Sequence, residues 1–87
     1  MKINRDLRLR TIENKFFVTA VNEKSKTFIG MVRLNETGAM IFKMLQKDKS
    51  IEEIARKLSV FYGIDPMEAE KDVSDTVLLF KKAGFFE

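Results

Sequence analysis

Glu68, Asp72 and Asp75 recur at i, i+4 and i+7. On a helix that spacing puts three carboxylates on one side, where they could hold a hard divalent cation. The same residues lie near the start of an expected helix, where the positive end of the helix dipole favours acids. A solvated acidic face is therefore the simpler reading. Ser25, Ser50, Ser59 and Ser74 have no base near them in sequence. The four glycines form no phosphate-cradling G-x-G-x-x-G pattern. The chain has no His and no Cys. Imidazole bases, Ser-His-Asp triads, thiolate nucleophiles, disulfides and zinc–thiolate or iron–sulfur sites are all removed. Neither catalysis by this chain nor a bound cofactor or metal is expected.

The elements that must position any remaining function change period once. Residues 5–34 read as three strands. Leu7, Leu9 and Thr11 alternate with Arg8, Arg10 and Ile12. Phe16 to Val21 and Phe28 to Leu34 are rich in β-branched and aromatic residues. The polar connectors at 13–15 and 22–26 have hairpin length, so an antiparallel meander is expected, with its first and third strands at the edges. In the third strand Phe28, Gly30, Val32 and Leu34 share one face, and Ile29, Met31 and Arg33 the other.

From residue 35 to about 84 the period is helical. Asn35 is a candidate cap for a helix carrying Gly38, Ile41, Phe42 and Leu45. Gly38 suggests a close approach of backbone and sheet. Ser50-Ile51-Glu52-Glu53 fits a capping box ahead of Ile54, Ala55 and Leu58, and Gly63 fits a left-handed stop. Asp65-Pro66-Met67-Glu68 combines a cap, a first-turn proline and a second capping box. Ala69, Val73, Thr76, Phe80 and Ala83 then line one face, widened by Val77 and Leu79. Gly84 ends that helix, and Phe85-Phe86 is expected to fold back onto the core. A three-stranded antiparallel sheet followed by three helices is an α+β domain of winged-helix type.

The chain of 87 residues is 45% apolar and 33% charged, a globular composition, and residues 1–87 are expected to form a single domain. The opening MKINRDLRLR lacks the apolar run of a signal peptide. No apolar stretch approaches the ~20 residues of a membrane span. A cytoplasmic protein without membrane attachment is expected.

The net charge of +3 is unevenly spread. Residues 1–34 carry eight basic and three acidic side chains, and residues 35–87 eight basic and ten acidic. A basic sheet half suits an acidic partner. Nucleic acid is the first candidate. A winged-helix DNA reader would insert its third helix into the major groove. Here that helix carries Glu68, Glu70, Asp72 and Asp75 against Lys71, Lys81 and Lys82, with the acids at the end that should meet the bases. Against phosphates that placement is repulsive, so nucleic acid is not expected. Peptide capture fits better. The third strand has no Pro and only Arg33 as a charge, so its edge could receive an incoming strand. A third alternative is a scaffold module that binds only a partner enzyme.

Leu34-Asn35-Glu36-Thr37-Gly38-Ala39-Met40-Ile41-Phe42 resembles the PqqD family (coenzyme PQQ synthesis protein D). So do Ser50 to Ala55, Tyr62 to Pro66, Ala69 to Val73 and Ala83 to Phe86. The resemblance spans residues 34–86. It implies a non-catalytic domain that binds the leader of a ribosomally made precursor peptide (a RiPP recognition element) and presents it to a maturase, often a radical-SAM enzyme. It implies strand addition along Phe28, Ile29, Gly30, Met31, Val32 and Arg33. The facing helix surface is drawn from Asp72, Thr76, Leu79 and Phe80. Relatives serve many peptide pathways, of which PQQ biosynthesis is one. The sequence departs from the family after Leu45, where an Asp-Gly-like turn is common and Gln46-Lys47-Asp48-Lys49 stands instead. A monomer or weak dimer is expected.

Overall fold

Glu13 and Asn14 both take left-handed backbone angles, φ 51° and 65°. A two-residue turn of this kind matches the twist of paired strands. It joins β1 (Leu7–Ile12) to β2 (Lys15–Ala20) with Ile12 opposite Lys15. The structure, a computed structural model, describes residues 2–20 and 31–87. β3 (Met31–Leu34) pairs antiparallel with β2, so the sheet order is β1-β2-β3. The expected residues 21–30, including Phe28, Ile29 and Gly30, lie outside the described residues.

The register sorts the sheet into two faces. Leu7 lies opposite Ala20, Leu9 opposite Val18, and Val18 opposite Val32. Leu7 and Val18 are fully buried, and Leu9, Ala20, Val32 and Leu34 pack against the same core. The other face carries Arg8, Arg10, Phe17, Met31 and Arg33. Alternation along each strand makes one face a floor for the helices and, among the described residues, leaves the other without a covering element.

Three helices follow: α1 (Glu36–Gln46), α2 (Ile51–Tyr62) and α3 (Pro66–Lys82). The Gly38 N–H donates to Asn35 Oδ1 at 2.7 Å. A Cβ on Gly38 would stand 3.1 Å from that oxygen and 3.6 Å from Leu34 Cβ. Gly38 thus makes room first for the cap of its own helix, and then for the end of β3. The capping box on α2 is complete: the Glu53 N–H donates to Ser50 Oγ and the Ser50 N–H to Glu53 Oε1. The backbone hydrogen bond from Ser50, then its side-chain bond, hold the Glu53 carboxyl below its ordinary range. On α3 the second box does not form. Asp65 Oδ1 accepts from the Met67 N–H at 2.8 Å, and Glu68 makes no return bond. The Asp side chain reaches the second helical amide, with Pro66 already at the first position.

All three helices end in the same motif. The Lys49 N–H reaches Met44 O, Ile64 N–H reaches Ser59 O, and Phe85 N–H reaches Phe80 O. Such closures need one left-handed residue, usually glycine. Gly63 and Gly84 supply it for α2 and α3, and Asp48, φ 60°, for α1. That is the physical content of the departure after Leu45: Asp takes the position that glycine occupies with no Cβ penalty. Asp48→Gly is therefore expected to stabilise the fold by about 1 kcal/mol. A rise of roughly 4–8 °C in melting temperature would show it.

The core is built on Phe42, Phe80 and Phe85. Phe42 meets Phe80 edge-on at 6.0 Å and Phe85 at 5.8 Å between ring centroids. The C-terminal segment folds back as expected, with Phe85 fully buried. Its neighbour Phe86 bridges antiparallel to Ile3. The Asn4 N–H donates to Phe85 O and the Glu87 N–H to Lys2 O. Leu79, by contrast, does not widen the buried stripe of α3. It is 64% exposed, and the buried residues there are Ala69, Val73, Val77 and Phe80. No described helix is long and apolar enough to cross a membrane.

Candidate peptide-binding edge

Among the described residues, β3 pairs only with β2. In an antiparallel ladder alternate residues direct both backbone groups to the same neighbour. Every second residue of Met31–Leu34 therefore turns its N–H and C=O away from β2. The C-terminal segment does not cover this edge, because Phe86 pairs with Ile3, next to β1 in the chain. Met31 is 56% exposed and Arg33 is exposed, while Val32 and Leu34 face the core.

On α3, Asp72, Thr76 and Leu79 follow one another at i, i+4 and i+7 along one shoulder of the buried stripe. Asp72 and Leu79 are exposed, and Thr76 is half-buried. Phe80, grouped with them from the sequence, is 4% exposed and sits among Phe42 and Phe85. Its part is to support the helix from the core side. Val32 packs against the same core cluster that contains Val73, Val77 and Phe80. β3 and α3 thus both face this one core.

Register exposes a feature that the linear sequence hides. Arg10 lies opposite Phe17, and Phe17 opposite Arg33, in one row across the open face. Arg8, Thr19 and Met31 form the next row. The ion pairs among the described residues are Arg5–Glu87 and Lys49–Glu53, so Arg10 and Arg33 have none. The signal lay in the turn length. A two-residue loop after Ile12 brings Arg10 and Phe17 together, and the pairing of Phe17 with Arg33 completes the row. Among the described residues, no cluster of acidic side chains is arranged to hold a metal ion.

The family model for coenzyme PQQ synthesis protein D matches residues 20–85. The chain belongs to the PqqD family. The match reaches further back than the resemblance over residues 34–86 and takes in β3 with the residues before it. Two solved structures share the fold of this PqqD-family chain. "TbiB1 in Complex with the TbiA(beta) Leader Peptide" matches with a TM-score of 0.80 at 21% identity, covering 100% of this chain and 95% of that one. "Lasso peptide synthetase B1 complexed with the leader peptide" matches with a TM-score of 0.77 at 19% identity, covering 97% and 93%. No curated protein matches the chain.

Proposed function

We propose that this PqqD-family chain is a non-catalytic recognition domain that captures the leader of a ribosomally made precursor peptide. The leader adds as a strand along β3 and rests against the Thr76–Leu79 shoulder of α3. The observation that carries the reading is the β3 edge, unpaired among the described residues, in a fold shared with two proteins whose structures are named as leader-peptide complexes. Backbone pairing supplies affinity that is indifferent to sequence, and the flanking side chains supply choice. A strand added beside β3 alternates its own side chains. One set meets the α3 shoulder. The other meets the row of Arg33, Phe17 and Arg10, where acidic residues would be favoured. The captured peptide is presented to a modifying enzyme, a radical-SAM protein or another maturase, which does the chemistry. The site of action is the cytoplasm.

Duplex DNA is a poorer ligand. The first turns of α3 carry Glu68, Glu70, Asp72 and Asp75, all exposed, where a reading helix would meet phosphates.

A synthetic series of the 87-residue chain tests the edge directly. Each amide of residues 31–34 is replaced by an ester, which deletes one N–H and keeps the side chain. Two alternate esters should weaken binding of the cognate leader by roughly fivefold, at about 1 kcal/mol per bond, and leave the melting temperature unchanged. The other two should lower the melting temperature instead. Four variants that bind the leader equally well would rule out strand addition at β3.

A further inference from the structure

Met40, Met44, Val60 and Phe61 line an open groove of about 460 Å³ between α1 and α2, with Arg56 and Lys57 at its rim. Nothing in the peptide-binding edge uses it. Val60 is 81% exposed and Phe61 65%, two and three residues after the last buried residue of α2, Leu58. Clustered apolar surface in a concavity marks a binding site more often than scattered exposed residues do. The floor is also prepared for a guest. The Phe61 ring stands edge-on to Tyr62 at 4.9 Å, and the Thr37 hydroxyl donates to the Tyr62 hydroxyl at 3.4 Å, joining α2 to the start of α1. An anchor held in place loses less entropy on binding. The two methionines add a surface that adapts to the shape of its guest.

Charge identifies the class of guest. Lys43 borders Met40 on one side of the groove. Lys47 and Lys57 border Met44 on the other. With Arg56 these four cations form no ion pair among the described residues. The nearby acids are Glu36, beside Phe16 and Met40, and Glu53, whose carboxylate is already engaged by Lys49 at 3.9 Å and by the Ser50 amide.

We infer that the α1–α2 groove docks an acidic amphipathic helix of a partner protein. Apolar side chains at i, i+3 or i+4, and i+7 enter the floor of Met40, Met44, Val60 and Phe61. Asp and Glu on the flanks meet Lys43, Lys47, Arg56 and Lys57. A groove between two helices suits a third helix laid along it. The four floor residues belong to α1 and α2, none to β3 or α3, so occupation of this groove does not depend on leader capture.

The probe is a hydrocarbon-stapled helical peptide with Leu and Phe at i, i+3, i+4 and i+7 and Glu elsewhere, titrated into the isotopically labelled domain. A twin with Lys in place of Glu is the control. The Glu peptide should shift the amides of residues 40–47 and 56–62 and bind roughly tenfold tighter than its twin. Arg56→Glu with Lys57→Glu should reverse that preference. Phe61→Asp should abolish binding while the melting temperature holds, because Phe61 lies outside the core. Equal binding of the two peptides, or shifts confined to residues 31–34 and α3, would overturn the proposal. So would self-association that Phe61→Asp abolishes, which would make a second copy the occupant. Co-sedimentation with phosphatidylglycerol vesicles that Phe61→Asp abolishes would assign the groove to a membrane surface and equally sink it.

Discussion

Phe42→Ala is expected to remove about 3–5 kcal/mol of stability, combining lost burial with an unfilled cavity. Phe42 is fully buried on α1. Its ring touches Phe80 of α3 and Phe85 of the C-terminal segment. It therefore joins three parts of the chain. Truncation would strip the Phe80–Phe85 ring contact, at 5.1 Å, of its third member. A domain of this length has roughly 5–15 kcal/mol in total, so the loss takes a large share. The melting temperature should fall by roughly 15–30 °C in a thermal unfolding series. Phe61→Ala serves as the matched control, since Phe61 is an exposed aromatic. It should move stability by no more than about 0.5 kcal/mol. Equal losses for the two variants would mean that the core is not centred where Phe42 stands.

The features legible in the sequence are those with local causes. Asn35, Ser50 and Asp65 announce their helices because a cap acts on amides two or three residues away. The buried stripes of α1 and α3 were readable for the same reason, as was the hairpin between β1 and β2. What escaped depends on neighbours that the linear order does not reveal. Leu79 has the spacing of a core residue, yet no element covers it. Glu68 has the spacing of a box residue, but Asp65 had already satisfied the Met67 amide. Asp48 gave no sign of left-handed backbone, because Asp only tolerates what glycine prefers. The row of Arg10, Phe17 and Arg33 and the groove floored by Phe61 each draw on more than one element. The strand edge was legible as a place, from strand order alone. The α3 surface was legible only as a set of candidates, and burial then moved Phe80 from the surface to the core.

Exposure of Leu79 gives the sharpest test of whether the leader meets α3. Leu79→Glu should leave the fold intact, since the side chain is largely in solvent. If Leu79 contacts the leader, the substitution places a charge against apolar guest side chains. At a central anchor such a change costs about 2 kcal/mol, or roughly thirtyfold in affinity. Leu78 is the natural control. It is also exposed, and it is the same residue type one position earlier. One helical step rotates it about 100° from Leu79, away from the Asp72–Thr76 shoulder. Leu78→Glu should therefore bind the leader as the unaltered domain does, in the same calorimetric titration. Loss of affinity for Leu78→Glu alone would assign the groove to the outer face of α3. Loss for neither would separate the leader from this helix and leave the β3 backbone as its whole site.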